Sequence, residues 1–231
     1  MPLSRADGSL PSRAEKGKAR AILNRLLRRY PNIGTALDYK SPFQLLVVTV
    51  LSAQTTDENV NKVAPILFER YPTVSDLAEA DPEDVERIVY STGFYRQKTR
   101  SIIKLAQGIE ETFEGEVPMD IDELVRLPGV GRKTASVLLA EAWGVPAIAV
   151  DTHVRRVTRR LGLTAQSDPA KIERDLMALY PKSAWSGLSM RFIQFGRDVC
   201  DARRPLCGEC ELFGLCEFPE RFVFAAKTPP R

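Results

Sequence analysis

The chain has 231 residues, 44% of them apolar and 27% charged, with a formal net charge of +3. That is enough material for one large or two small hydrophobic cores, and the balance excludes a disordered, fibrous or low-complexity protein. The longest clean apolar run, residues 45–51, is too short for a membrane span, and residues 1–13 are polar with no apolar h-region, so a cytoplasmic chain is expected.

In chain order, residues 1–17 are rich in Ser, Arg and Gly and read as a disordered tail. Ile22, Leu23, Leu26 and Leu27 recur at helical spacing and predict a helix that ends at Tyr30-Pro31. Ser41-Pro42 is an N-cap followed by proline at the first helical position, and the run 43–51 after it, apolar on every side of a helix, predicts a central buried helix. Thr56 or Asp57 can cap the next helix, which carries Val60, Val63, Ile66, Leu67 and Phe68. Asp81-Pro82 starts another, Thr92-Gly93 stops it, and residues 96–113 form a long helix with Ile102, Ile103, Leu105, Ala106 and Ile109 on its stripe.

Then comes Leu127-Pro128-Gly129-Val130-Gly131, a tight turn opening a helix over 132–143. That helix rises about 18 Å. Residues 144–150, at about 3.3 Å each when extended, can travel back its whole length, so Asp151 can return beside Lys133. A basic helix over 152–161, one over 168–180 and one near 183–199 complete the set. No stretch alternates with period two for long, so the fold class is all-α.

Charge is segregated along this plan. Acidic residues gather in 76–86 and 110–123, basic ones in 96–104, 132–133, 155–160 and 203–204. Such partition either builds one basic face on a near-neutral molecule or marks solvated helix faces.

Glycines in Pro128-Gly129-Val130-Gly131 permit positive φ and close approach of the backbone to a ligand. The N–H groups at the helix start favour an anion, for which a DNA phosphate is the natural choice. The pattern is that of a helix-hairpin-helix, with residues 121–127 as its first helix; a plain αα turn that binds nothing is the alternative. Lys133 is either a solvated surface lysine or an amine able to form an imine. Asp151 is either a simple N-cap or also a carboxylate that stabilises positive charge developing on a sugar. A zinc-deaminase reading fails because no His/Cys pair flanks a glutamate in the required pattern. A Ser–His triad would have to use His153, the one histidine, and no nucleophile elbow is present.

All four cysteines fall near the C-terminus as Cys200-x6-Cys207-x2-Cys210-x5-Cys216. This is no disulfide framework for the rest of the chain; it is a metal-binding cluster of thiolates, and spacing alone leaves zinc and [4Fe–4S] both open. The loop between the first two ligands carries Arg203 and Arg204, well placed to hold a backbone phosphate.

The Leu51-Ser52-Ala53-Gln54 stretch, the Leu-Pro-Gly-Val-Gly-Arg-Lys-Thr-Ala stretch, Val150-Asp151-Thr152-His153 and the cysteines together resemble the endonuclease III family of helix-hairpin-helix DNA glycosylases. The likeness runs from about residue 18 to residue 216. It implies two helical domains flanking a DNA-binding groove: a contiguous bundle over 35–145, and a second domain from 18–34 and 146–220 that carries the cluster, with 221–231 a flexible tail. It implies that Lys133 attacks C1′ of a damaged nucleoside to give a Schiff base, that Asp151 assists, and that β-elimination then cuts the strand. Relatives that only remove bases lack this lysine. The ligands of a [4Fe–4S] cluster would be Cys200, Cys207, Cys210 and Cys216.

By the same resemblance Gln54 plugs the opened duplex and Phe94 is the apolar wedge, although bacterial members commonly carry Leu there. Ser52 and Asp57 would shape the plug loop or touch DNA. Gly129, Val130, Gly131, Arg132, His153, Arg203 and Arg204 complete the expected DNA contacts. Two bland alternatives stand beside these: Phe94 as a core aromatic in a tight turn, and Asp57 as a mere helix cap. The expected enzyme is a monomer, cytoplasmic and nucleoid-associated, that removes oxidised pyrimidines from duplex DNA and cuts at AP sites. The competing expectations are a non-catalytic helix-hairpin-helix DNA-binding protein and a glycosylase of the same fold for another lesion.

Overall fold

Capping residues write most of the helix starts in this chain. The structure, a computed structural model, describes residues 10–227; among them are twelve α-helices and no strand. Ser12 opens α1 (Arg13–Arg29) with a reciprocal box to Glu15. Ser41 caps α2 (Pro42–Leu51), Thr56 caps α3 (Asp57–Arg70), Thr73 caps α4 (Val74–Ala78) and Asp81 caps α5 (Pro82–Val89). Helix α6 (Tyr95–Phe113) starts from Phe94 with no side-chain cap, whereas Asp120 caps α7 (Ile121–Leu124). Gly131 precedes α8 (Arg132–Trp143), again without a side-chain cap. Asp151 and Asp168 cap α9 (Thr152–Arg160) and α10 (Pro169–Leu179). Gly187 precedes α11 (Leu188–Asp198), and α12 (Arg221–Lys227) is the last. Each such cap satisfies an N–H that the helix itself leaves without a partner.

The chain divides into two compact units. Residues Thr35–Val145 make one of them. Its centre is α2, where Leu45, Leu46, Val47, Val48 and Leu51 are fully buried, as expected for a helix apolar on every side. Helix α2 packs on α3, α6 and α8, while α4 and α5 lie along α6. The stripe Ile102, Leu105, Ala106 and Ile109 of α6 is buried there.

The described residues before Thr35 and those after Val145 make the other unit. Ile22 and Leu26 of α1, Val154 and Val157 of α9, Ile172 and Leu176 of α10, and Phe192 and Phe195 of α11 share one core.

Three expectations shift. Helix α1 begins inside the stretch read as a tail, because Ser12 and Glu15 cap it; residues 1–9 lie outside the described ones. At the other end, residues 221–227 are helical rather than a flexible tail, with the Phe222 ring edge-on to Phe213 at 5.3 Å; residues 228–231 are again outside the description. The helix expected near 183–199 is split into a 3-10 turn at Lys182–Ala184 and α11, because Gly187 takes φ 71° between them.

Candidate functional site

The hairpin turn is built before any ligand is considered. Helix α7 stops at Leu124, earlier than expected, and the chain continues through i→i+3 bonds from Arg126 to Glu123 and from Leu127 to Leu124. Proline at 128 disfavours helix in the residue before it. Gly129 has φ 79°, which a side chain rarely adopts, and a Cβ there would meet nothing within 4 Å, so backbone conformation rather than crowding demands glycine. Gly131 differs: its φ is −86° and a Cβ there would also meet nothing. No internal reason for that glycine exists, and what it supplies is open space over the start of α8. The Val130 side chain is buried (4% exposed) and its N–H donates to the Leu127 carbonyl at 3.1 Å, so it sets the turn from inside.

Lys133 is exposed in the first turn of α8, alongside exposed Arg132. Ala135 and Leu138, on the opposite face, anchor the helix in the core. Asp151 belongs to the other unit, half-buried, and its Oδ1 accepts the Val154 N–H at 2.8 Å. The capping role is thus real; it occupies one carboxylate oxygen and leaves Oδ2 for other work.

His153 sits against Gly196 of α11, where a Cβ would lie 3.0 Å from its Nδ1. Arg156 lies 3.1 Å from that same Nδ1. A guanidinium can only donate, so Nδ1 accepts and Nε2 carries the ring proton.

The expected plug and wedge both sit at strained backbone. Gln54 (φ 57°) and Phe94 (φ 47°) are two of three non-glycine residues with positive φ among the described ones. Gln54 is exposed in the turn after α2, where the Ser52 hydroxyl donates to the Thr49 carbonyl at 2.9 Å. Thr56, not Asp57, caps α3, accepting the Asn59 N–H at 3.2 Å and leaving Asp57 half-buried as the first residue of the helix. Phe94 is 62% exposed, which overturns the core-aromatic alternative. It follows a 3-10 turn, Tyr90–Thr92, and beside it the Tyr90 and Tyr95 rings pair at 4.9 Å.

The four cysteines are free thiols lining one cavity whose walls include Leu161, Phe195, Val199 and Pro205. Burial pushes the Cys210 thiol up to about 12 and raises Cys207 and Cys216 in the same direction. Thiolates in such a cavity need bound cations to hold them, and four soft donors in an apolar setting fit an iron–sulfur group. In the loop between the first two, Asp201 Oδ1 accepts the N–H groups of Arg203 and Arg204, each at 2.8 Å. Those bonds, that of Arg204 foremost, hold the Asp201 carboxyl below the usual range. Both arginine side chains are left exposed.

Comparison with known proteins decides the family. Residues 47–182 match the HhH-GPD superfamily of base excision DNA repair proteins, and residues 200–216 match the iron–sulfur binding domain of endonuclease III. Endonuclease III of Synechocystis is 52% identical over 204 residues, 88% of this chain and 93% of that protein. A non-covalent endonuclease III–DNA complex superposes with a TM-score of 0.83 at 44% identity, covering 90% of this chain and 98% of the other. A trapped endonuclease III–DNA covalent intermediate gives the same values, 0.83, 44%, 90% and 98%. The chain belongs to the endonuclease III family.

For an endonuclease III relative, the most informative residues missed by sequence reading are those that hold the expected site residues in place. Arg160 of α9 donates to the carbonyls of Asp201 (2.7 Å) and Ala202 (3.0 Å) and to Cys200 Sγ (3.4 Å). Arg156 donates to the carbonyls of Cys200 (3.1 Å) and Gly196 (2.9 Å). The basic stretch 155–160 therefore divides by helical phase: Arg156 and Arg160 face inward onto the cysteine loop, while Arg155 and Arg159 are exposed. Their i, i+4 spacing was the available signal. Gly108 was also missed. A Cβ there would lie 2.7 Å from Pro128 Cδ, so α6 needs glycine for the hairpin turn to rest on it. Among the described residues no helix is long and apolar enough to cross a membrane.

Proposed function

We propose that this chain is a bifunctional DNA glycosylase and AP lyase of base excision repair. It removes oxidised pyrimidines from duplex DNA, acts as a monomer and works in the cytoplasm on the nucleoid. The observation that carries this reading is an exposed lysine, Lys133, in the first turn of a helix whose start has no side-chain cap and opens from Gly129-Val130-Gly131. The N–H groups there take a DNA phosphate, with Arg132 beside them. Val130 contributes by setting the turn, because its side chain is buried.

The chemistry follows from the side chains. Lys133 Nζ attacks C1′; the C1′–N bond breaks, and the base departs with the bonding pair and takes a proton. Opening of the sugar ring leaves a protonated imine on Lys133. Loss of a C2′ proton then drives electrons toward C3′ and expels the 3′-phosphate, and water releases the lysine. Asp151, its Oδ1 tied to the Val154 N–H, stabilises the positive charge on the sugar and accepts the lysine proton. Gln54 and Phe94 fill the gap left by the flipped nucleotide, with Ser52 and Asp57 shaping the Gln54 loop. His153 and the exposed Arg203 and Arg204 hold backbone phosphate.

The iron–sulfur group is a [4Fe–4S] cluster held by Cys200, Cys207, Cys210 and Cys216, and when bound it supplies rigidity rather than a step in the reaction. All four sulfurs line one cavity, and the match of residues 200–216 to the iron–sulfur binding domain of endonuclease III supports this over zinc. A cluster gives each thiolate its own iron.

Borohydride trapping tests the central assignment: the wild type should form a covalent adduct with damaged duplex DNA, and Lys133→Gln should lose it, with a fall in turnover of at least about 10³-fold. A Lys133→Gln protein that trapped DNA as well as the wild type would remove Lys133 as nucleophile. For the cluster, natively purified protein should be brown and contain iron with labile sulfide; stoichiometric zinc instead would overturn it.

A further inference from the structure

Two loops with strained backbone meet on one side chain. A non-glycine residue in the left-handed region is strained and persists only when its surroundings hold it. Glu114, the third case, is the C-cap of α6, where such a conformation is ordinary. Gln54 and Phe94 are in loops, and what holds both loops is Asn59, in the first turn of α3.

Asn59 Nδ2 donates to Thr55 Oγ1 at 3.2 Å, directly after Gln54. It also donates to the Ser91 carbonyl at 2.8 Å, three residues before Phe94. The Ser91 hydroxyl donates back to Asn59 Oδ1 at 3.3 Å. One amide thus uses three of its four hydrogen-bonding positions on two loops far apart in sequence. The second loop has its own anchor. Lys98, 5% exposed, donates from Nζ to the Thr92 carbonyl at 2.6 Å, and the buried Thr92 hydroxyl donates to the Val89 carbonyl at 2.7 Å.

We infer that Asn59 is a positioning residue that couples the Gln54 and Phe94 loops, so that they enter an opened duplex as one braced device. Two loops that move independently each pay the ordering cost of insertion; braced loops pay it together before DNA arrives. The inference rests on the proposed duplex-opening roles of Gln54 and Phe94. Lys98 fixes the Phe94 loop to α6 and does not touch the Gln54 loop, which Asn59 ties to it.

A double-mutant cycle in the full-length, cluster-loaded protein tests this. Duplex opening is read from 2-aminopurine fluorescence beside the lesion for Gln54→Ala, Phe94→Ala and the double variant, first with Asn59 intact and then in an Asn59→Leu background. With Asn59 intact the two effects should depart from additivity by about 5- to 30-fold, and with Asn59→Leu they should combine independently to within about twofold. Asn59→Leu alone should slow opening while leaving strand cleavage at an abasic site in single-stranded DNA unchanged, because no opening is needed there. Lys98→Met, a second route, should reduce the contribution of Phe94 and, through Asn59, that of Gln54 as well; in the Asn59→Leu background it should reduce that of Phe94 alone. A Gln54 contribution untouched by Lys98→Met with Asn59 intact would also overturn the coupling. If neither Gln54→Ala nor Phe94→Ala affects opening, the proposed roles of the two loops fail. If both matter but their coupling survives Asn59→Leu, the coupling inference alone is overturned. Equal loss on single-stranded DNA would also overturn it, making Asn59 a fold-stabilising residue only.

Discussion

Helices α8 and α9 follow one another in the chain and start in opposite ways. At α9 a carboxylate, Asp151, accepts the Val154 N–H and closes the helix end with its own side chain. At α8 the N-cap is Gly131, no side chain caps the helix, and nothing in the protein stands where a Cβ would be. Side-chain caps open α1 to α5, α7, α9 and α10. Helices α6, α8 and α11 start without one, but α6 starts from Phe94, which has a side chain, and at α11 Arg191 Nη1 lies 2.5 Å from where a Cβ of Gly187 would be. Of the three, α8 is the start that opens onto free space. A helix end left without a cap is unfinished business that a ligand can complete. The contrast teaches where to look for the anion: at the start that the protein does not close itself.

Exchanging the properties of the two starts sharpens that contrast. Asp151→Asn keeps a good cap but removes the charge; turnover should fall about 10²-fold while the melting temperature holds. Full activity in that variant would reduce Asp151 to a cap. Gly131→Asp gives α8 the cap it lacks. Affinity for duplex DNA, measured by titration at fixed salt, should fall about tenfold, since a carboxylate now occupies the anion position, while stability stays within a few tenths of a kcal/mol. Undiminished binding would show that α8 does not receive a phosphate. Asp151→Ala should lose about 1 kcal/mol of stability relative to Asp151→Asn by chemical denaturation, the worth of the cap itself.

Much of the fold was legible because its signals are local. Gly131 and Gly144 bracket α8 over Arg132–Trp143, the range that the turn residues predict. Ser41-Pro42 and the apolar run behind it place α2 and its burial correctly. The misses share a different cause: partners distant in sequence. Gly187, at φ 71°, interrupts the last long helix, and Arg191 beside it is held by the distant Tyr30 and Pro31 carbonyls. Arg160 reads as one more surface charge until the Asp201 and Ala202 carbonyls are brought to it. The Val130 side chain goes into the core, which its place in a glycine turn does not announce. Lys98 did leave a trace, since it shares a face with Ile102, Leu105 and Ile109, and a lysine on a buried stripe asks for a hydrogen-bond acceptor. Asn59 left none. Its role exists only once Ser91 lies beside it.

The glycine at position 108 has one more consequence. Helix α6 carries Phe94 at its N-terminal end, and the Pro128 turn rests on it at Gly108. Fourteen residues of helix separate the two points, about 21 Å along the axis. Bending soft loops would let that interval drift, but a helix rod does not stretch. Along a duplex that length is about six base steps. Helix α6 is therefore a ruler: it sets, in units of DNA, how far the turn proposed to grip phosphate stands from the ring proposed to take the place of a missing base.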